Sequence, residues 1–297
     1  TPELVEQIKA HKEVLVDYLN HAGADPLKIT PVSRDQNLSL SYAQQRLWLL
    51  DKMEEGSSHY NMPNAFSVKG ELDLDALNLA FNEILERHEC LRTCIKVDSD
   101  EKPYQKILEA HQINVNVHDL SGLEESKKDL EAKHIAQQEA ASPFDLTCDI
   151  MLRVVLIKLN VSEHILLFTT HHIASDGWSV PIIVHEFCSL YGAFSAGEDN
   201  PLPGLDIQYA DYAHWQREWL KGEVLEEQLN FWESQLTGLP QIHSLPLDRP
   251  RAEKQTFNGS AVGSVIDSES LQRFKVLCQS HGATLFMGLY SVTICAT

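Results

Sequence analysis

Apolar residues recur along the chain at two spacings, one typical of helices and one typical of strands. In LDLDALNLAFNEILERHE, Leu77, Phe81, Ile84, Leu85 and His88 follow the period of about 3.6 residues that marks an amphipathic helix. MLRVVLIKL and HILLFTTHH are β-rich runs separated by NVSE, an arrangement that predicts a hairpin. Apolar spacing and capping signals predict further helices in these segments: 2–19, SYAQQRLWLLDKM, about 121–141, 179–194, YADYAHWQREWLKG, LEEQLNFWESQL and TLFMGLYSVTICAT.

Glycine and proline clusters separate these elements and mark the predicted organisation of the chain. LRTCIKV alternates as a strand that DSDE turns, and SAVGSVID is predicted as a further short strand. NHAGADPLKITPVSRDQN has the composition of a linker, SAGEDNPLPGLD that of a loop, and LPLDRPRAEKQTFNG is predicted to be extended. We expect four parts: an amphipathic helix at 1–22, a linker at 23–36, a first lobe at 37–205 and an incomplete second lobe at 206–297.

The fold class follows from how the predicted strands and helices are distributed. The first lobe mixes both, so it is expected to form an α/β (α+β) fold in which helices cover a mixed sheet. Beyond residue 206 the chain is mainly helical and offers hardly any sheet for those helices to cover. The sequence therefore predicts a second lobe that is started and not finished.

Composition narrows the classes of function. The 297 residues favour two domains or lobes, and 43% hydrophobic with 23% charged residues is ordinary for a soluble protein. No apolar run approaches the ~18–20 residues of a membrane span, and the start lacks a signal-peptide core, so we expect a cytoplasmic protein without a membrane partner. A net charge of −19 argues against nucleic acid. The six cysteines form no CxxC pair, so we expect reduced thiols and no metal site.

The segment HILLFTTHHIASDGWS carries the densest candidate chemistry. It leads a buried strand directly into His171 and His172, followed by Asp176 and Gly177. Adjacent strand residues point to opposite faces, so one imidazole can reach a substrate while the other packs. Gly177 is expected to permit a bend that a side chain would obstruct. The alternative is a core histidine pair beside an ordinary turn.

The HHxxxDG pattern resembles the motif of condensation domains from nonribosomal peptide synthetases, which are chloramphenicol-acetyltransferase-like acyltransferases. The other matching segments, in the order of the family's signatures, are SYAQQRLWLL (41–50), RHECLRTCI (87–95, with Ile95 for the usual phenylalanine), YADYAHWQ (209–216, with Tyr212 for phenylalanine) and LPLDRPR (245–251). The resemblance covers about residues 33–297. The signatures of the family's later C-terminal lobe have no counterpart before Thr297, so the resemblance implies a fragment of the domain.

The resemblance implies amide formation between two thioesters carried on phosphopantetheine arms. The partners would be donor and acceptor peptidyl carrier proteins and an adjacent adenylation domain, and the domain itself would bind no cofactor. The first ~20 residues resemble the end of a docking domain that contacts an upstream synthetase, with a generic amphipathic helix as the alternative. His172 is the candidate imidazole, as a general base or as a positioner of the acceptor amine.

The resemblance also suggests supporting roles for the neighbouring residues. Asp176 is expected to hold its loop through a buried ion pair with Arg87 or Arg92, or to be a simple turn aspartate. The remaining candidates are a backbone N–H of Gly177 near the oxyanion, His171 as packed support, Arg46 as structural support, and Tyr209, Trp215 and Trp178 as residues that shape the cleft.

Several related functions stay open. An epimerisation domain shares HHxxxDG, but the 41–50 signature fits condensation better, and DGWS favours an L-configured donor. Heterocyclisation domains replace the histidine motif with paired aspartates. A non-catalytic recruiting or docking module of the same fold is a further alternative, as is a coenzyme A acyltransferase with HxxxDG. The fragment is expected to lack a closed cleft, so it could be inactive alone.

Overall fold

The computed structural model describes residues 11–12, 28–54, 56–110, 112–240, 242, 247, 249–250, 259 and 262–296. The described residues form seven strands: β1 (Leu38–Ser39), β2 (Asn61–Lys69), β3 (Thr93–Val97), β4 (Pro103–Ile107), β5 (Asn116–Asp119), β6 (Leu152–Lys158) and β7 (Glu163–His171). Eight α-helices are formed in the same part of the chain: α1 (Tyr42–Glu54), α2 (Leu74–Arg87), α3 (Glu125–Ala141), α4 (Ser179–Ser195), α5 (Tyr209–Trp219), α6 (Gly222–Leu236), α7 (Ser268–Ser280) and α8 (Leu285–Ala296). None of these described helices is both long and apolar enough to cross a membrane.

The strands form two sheets. One has the order β1-β4-β3 and is antiparallel, and the other has the order β2-β7-β6-β5. In the second sheet β5 runs parallel to β6, whereas β2, β7 and β6 pair in antiparallel fashion, so the sheet is mixed as expected. The predicted hairpin is β6–β7, with Leu156 opposite Leu166.

Both faces of the four-stranded sheet are covered by helices. Leu156 and Phe168 point to one face, where they join the buried apolar side of α2 and α4. Val155 and Leu167 point to the other face, where they pack with Ile135 of α3. The continuous apolar runs in β6 and β7 therefore reflect burial on both sides.

Helix α1 begins with a capping box formed by Ser41 and Gln44. The Ser41 backbone N–H donates to Gln44 Oε1 at 3.0 Å, and the Gln44 N–H donates to Ser41 Oγ at 3.1 Å. Gln44 also donates from Nε2 to Gln105 Oε1 of β4 at 3.1 Å. This buried contact fixes the start of α1 on the three-stranded sheet.

One strand prediction is wrong, and two other predictions fall outside the described residues. Residues 262–267 of SAVGSVID are irregular, and Val262 and Val265 are almost fully exposed, because no neighbouring strand pairs with them in the described chain. Apart from residues 11 and 12, the predicted N-terminal helix is not described, and neither is most of LPLDRPRAEKQTFNG.

The chain divides into two compact units, Thr1–Leu229 and Asn230–Thr297. The first unit extends past residue 205 because α5 is bound to the segment before β1. Asp211 of α5 accepts a hydrogen bond from the Val32 N–H at 2.8 Å and forms an ion pair with Arg34 at 2.6 Å. The boundaries predicted at residues 22, 36 and 205 stay predictions.

Candidate active site

The pleat at the end of β7 separates the two motif histidines. His171, the last residue of the strand, is 1% exposed, whereas the next residue, His172, is exposed. The His172 backbone N–H donates to the Tyr60 carbonyl at 2.8 Å, which extends the β2–β7 pairing by one residue. One imidazole is therefore packed and the other is available, as the strand geometry predicts.

His171 is a neutral packing residue. Its Nδ1 accepts a hydrogen bond from the Ile173 N–H at 3.1 Å, so the ring proton is on Nε2. The ring meets Phe144 edge-on at 5.9 Å between centroids, and Tyr60 at 6.3 Å. Burial, with smaller contributions from His172 and Arg153, lowers the pKa of His171 to about 4. The ring thus supports the loop without carrying charge at neutral pH.

A cavity of about 500 Å³ lies beside His172. One face of α1 forms a wall, because Ala43, Arg46, Leu47 and Leu50 follow helical i, i+3, i+4 and i+7 spacing. The other lining residues are Tyr60, Cys90, His172, Ile173, Ala174, Ser175, Asp176, Ser179 and Tyr209. The cavity thus brings together residues from SYAQQRLWLL (41–50), RHECLRTCI (87–95), the HHxxxDG motif (171–177) and YADYAHWQ (209–216).

The predicted ion pair of Asp176 with Arg87 or Arg92 is wrong. Asp176 is exposed, and its Oδ1 accepts from the Ser179 hydroxyl at 2.8 Å, the Ser179 N–H at 2.9 Å and the Trp178 N–H at 3.0 Å. These bonds hold the turn that leads into α4, and the Ser179 hydroxyl contributes most to lowering the pKa of Asp176. The carboxylate is stabilised by the Ser179 hydroxyl and two backbone N–H groups instead of an arginine.

The two arginines are used elsewhere in the first unit. Arg87 Nε donates to Glu186 Oε1 of α4 at 2.8 Å, and His88 Nε2 lies 2.6 Å from Glu186 Oε2. The Arg87 and Glu186 side chains are almost fully buried, so this contact fastens α2 to α4. Arg92 donates to the carbonyl of Leu108 at 2.6 Å. Both arginines make contacts that support the first unit, with partners other than Asp176.

Gly177 and Trp178 depart from the predicted roles. A Cβ built on Gly177 would meet no described atom within 4 Å, and its φ is not in the left-handed region. The expectation that a side chain would obstruct this bend is therefore wrong. Trp178 is 86% exposed and lies outside the lining of the His172 cavity. No contact in the described part of the first unit supports the prediction that Trp178 shapes the cleft.

The other predicted residues divide between lining and packing. Tyr209 lines the cavity, and its hydroxyl lies 2.9 Å from Ser41 Oγ. Trp215 instead stacks on Trp219 at 5.3 Å between centroids and does not line the cavity. Arg46 is exposed and lines the cavity, and no contact in the described chain gives it the structural role that the sequence suggested.

Tyr60, Cys90 and Ser175 are among the lining residues that were not singled out from the sequence. Tyr60 precedes β2, and nothing in its local pattern distinguishes it. Cys90 lies inside RHECLRTCI, so the second signature could have pointed to it, and Ser175 lies inside HHIASDG. Burial raises the pKa of the Cys90 thiol to about 11, so this cysteine is a neutral wall residue and not a nucleophile at neutral pH.

Comparison with known proteins gives a consistent result. The condensation-domain family matches residues 34–296. A linear gramicidin synthase polypeptide of Brevibacillus parabrevis is 43% identical over 263 residues, which are 89% of this chain and 5% of that protein. The chain thus spans a small part of its curated relatives.

Solved structures share the fold. The complex of the X-domain and OxyB from teicoplanin biosynthesis is 30% identical, with a TM-score of 0.73, and the match covers 86% of this chain and 56% of that one. The first condensation domain of the CDA synthetase is 20% identical, with a TM-score of 0.62, over 70% of this chain and 52% of that one. The α/β (α+β), chloramphenicol-acetyltransferase-like fold class is confirmed.

Proposed function

The chain belongs to the condensation-domain family, and from this premise we propose that it forms peptide bonds in nonribosomal peptide synthesis. A donor acyl or peptidyl thioester and an acceptor aminoacyl thioester would each arrive on the phosphopantetheine arm of a carrier protein. The acceptor amine would attack the donor carbonyl, and the donor thiol would leave. The whole synthetase would add an adenylation domain and work in the cytoplasm.

One observation carries this proposal: the exposed imidazole of His172 lines a cavity of about 500 Å³. A cavity of this size lies within the range of about 300–1,000 Å³ typical of small-molecule sites. The ring stands at the exit of a rigid strand whose preceding residue, His171, is locked in the core. This placement gives the imidazole a fixed position beside open space, as an acid–base or positioning group requires.

His172 acts in this proposal on the acceptor amine, as a base or as a positioner. A free α-amine has a pKa of about 7.7–8, so a sizeable minority of the amine molecules is already unprotonated at neutral pH. General-base assistance increases the rate of such reactions by about 10²–10⁴-fold. Orientation of the two tethered reactants increases the rate as well. The proton leaving the amine as the bond forms would pass to the imidazole.

The finer assignments are part of the same proposal. The backbone N–H of Gly177 would approach the tetrahedral oxyanion, since Gly177 directly follows the cavity-lining Asp176. The DGWS sequence supports a donor of L configuration. Asp176 would act indirectly, by holding the loop between His172 and α4 through its three hydrogen bonds.

The test uses the 297-residue chain and a continued chain, in which the same 297 residues are fused to the C-terminal half of a solved condensation domain. Each is incubated with a donor-loaded and an acceptor-loaded carrier protein, and the acceptor carrier is analysed by mass spectrometry for the condensed product. We expect product from the continued chain, and little or none from the shorter one. His172→Ala should lower the rate by about 10²-fold or more.

His185→Ala is the matched control, because His185 is an exposed histidine of α4 that does not line the cavity. It should leave the rate unchanged. A continued chain that keeps its full rate after His172→Ala would overturn the assigned role. Equal turnover of coenzyme A thioesters would favour a soluble acyltransferase, and exchange of the donor α-proton without transfer would favour an epimerisation domain.

A non-catalytic binding module is the second candidate, and one specific observation favours it. The solved X-domain of teicoplanin biosynthesis, whose structure was determined in complex with OxyB, is 30% identical to this chain. In that case the surface of the domain, and not the His172 cavity, would carry the function. The continued chain would then give no condensation product with any pair of loaded carriers.

A further inference from the structure

A second cavity, of about 290 Å³, lies in the first unit away from His172. It lies between strands β2 and β7 on one side and helices α2 and α4 on the other. The sheet contributes Phe66 and Phe168, which stack at 5.6 Å between centroids. The helices contribute Phe81 and Phe187, which stack at 4.8 Å. The cavity shares no lining residue with the His172 cavity.

The lining is apolar, and one side of the cavity reaches the surface. No charged residue of the described chain lines it, and its one hydroxyl, that of Tyr191, already accepts a hydrogen bond from the Asp73 N–H at 2.9 Å. Water in such a space would lack the two to four polar partners that it needs. Cys188 of α4 is exposed at the lining, so a molecule from solution can enter there.

Size and surface chemistry define the ligand. A dry cavity of about 150 Å³ lined by aliphatic and aromatic side chains binds benzene, so a space about twice as large accommodates two fused rings. Aromatic side chains on both walls favour offset or edge contacts with an aromatic ligand. No charged side chain of the described chain lines the cavity, so a buried anion would lose its hydration without gaining a cationic partner, and an anionic ligand is disfavoured.

We propose that this cavity between β2, β7, α2 and α4 is a binding site for a neutral bicyclic aromatic molecule of the size of indole. The site is separate from the proposed condensation reaction and does not depend on it. Such a ligand would bridge the stacked pairs Phe66–Phe168 and Phe81–Phe187 and would stabilise the folded state by binding to it alone.

Indole is the probe, titrated into the full chain by isothermal calorimetry. We expect one saturable site and a rise in the melting temperature with indole concentration. Val184→Trp, which fills the space from α4, should weaken binding by about tenfold or more. Val161→Trp is the matched control, because Val161 is 67% exposed in the β6–β7 turn, and it should bind like the parent chain.

Each outcome decides the proposal. Absence of saturable binding, or equal affinity of a folded Val184→Trp chain, would overturn it. If Val184→Trp fails to fold, Cys188→Trp at the exposed side of the cavity replaces it, with the same expected loss. Indole-3-carboxylate should bind more weakly than indole, and equal or tighter binding would overturn the neutral class of ligand. None of these readouts involves condensation activity, so a failure here is distinguishable from a failure of the proposed function.

Discussion

His171 and His172 are neighbours in sequence, yet their rings lie in opposite surroundings. The buried ring of His171 rests against Phe144 and accepts the Ile173 N–H, and the exposed ring of His172 faces the cavity. The strand period could predict that the rings diverge, but it could not predict which one packs. That choice depends on Phe144, which comes from a distant segment before β6.

His171 should make the stability of the chain depend on pH. Its pKa falls from 6.5 to about 4 on folding, so the unfolded chain binds this proton more tightly and stability is lost as the pH falls from about 6.5 to 4. A shift of this size corresponds to about 3 kcal/mol in full, of which about 2 kcal/mol is lost between pH 7 and pH 5. Urea unfolding at both pH values measures this loss.

The comparison needs a chain without the buried imidazole. His171→Asn removes the titrating group, so the variant should lose about 2 kcal/mol less than the parent chain over the same interval. His185→Asn, in an exposed position, should follow the parent. Identical pH dependence of all three chains would show that the buried ring does not titrate as described.

Asp176 should contribute to stability by holding the turn that leads into α4. Asp176→Ala removes the acceptor of three hydrogen bonds and should lower the free energy of unfolding by about 1 kcal/mol. Asp176→Asn keeps an oxygen acceptor and should lower the free energy of unfolding by less than Asp176→Ala does. Urea unfolding at pH 7 compares the two variants, and Ser179→Ala provides a reference for the hydroxyl contact. A loss of about 3–5 kcal/mol in Asp176→Asn would instead indicate a buried ion pair.

At the scale of elements, the contact between α5 and the segment before β1 supports one wall of the His172 cavity. Asp211 is 1% exposed, and it accepts hydrogen bonds from Val32, Arg34 and the Gln208 N–H. Burial by itself would raise the pKa of Asp211, but these hydrogen bonds outweigh it and lower the pKa. The same contact holds Tyr209, at the start of α5, against Ser41.

Asp211→Asn should therefore destabilise the first unit. The substitution leaves Arg34 without its closest carboxylate, and we expect a loss of about 3 kcal/mol, at the low end for a buried pair because the Arg34 side chain is 30% exposed. Urea unfolding at pH 7 measures the loss. Glu89→Gln is the control, since Glu89 is the other carboxylate that pairs with Arg34, at 2.8 Å. This substitution should lower the free energy of unfolding by less than Asp211→Asn does. An equal cost for both variants would contradict a special role of Asp211.

Elements with strong local patterns were predictable, and those defined by distant partners were not. Helix α2 and the β6–β7 hairpin show apolar periods over many residues, so their type is set locally. Strand β1 has two residues and exists only through pairing with β4, and β5 depends on β6. The strand predicted for SAVGSVID (260–267) failed over its described residues 262–267 for the same reason, because a β-rich pattern without a neighbour has no ladder to join.

At the scale of the whole chain, the two compact units differ in how much apolar surface they bury. The first unit has a sheet covered on both faces. Among the described residues from Asn230 onward, Cys278 alone is a buried hydrophobic side chain, whereas Phe286, Met287 and Tyr290 of α8 are exposed. Helix packing in this unit is close at Gly288, where an added Cβ would lie 2.4 Å from Cys278 Sγ, but it covers little area.

The second unit should consequently open far more easily than the first. Burial of apolar surface is the main source of stability, so amide hydrogens of α7 and α8 should exchange within seconds, while those of β6 and β7 stay protected. Hydrogen–deuterium exchange on the full chain, read by mass spectrometry of peptides, compares these elements within one sample. In the continued chain, which carries the C-terminal half of a solved condensation domain, α8 should become protected if the added residues cover its exposed aromatic side chains. Protection of α7 and α8 equal to that of β7 in the shorter chain would contradict the inference that exposed apolar surface leaves the second unit weakly stable.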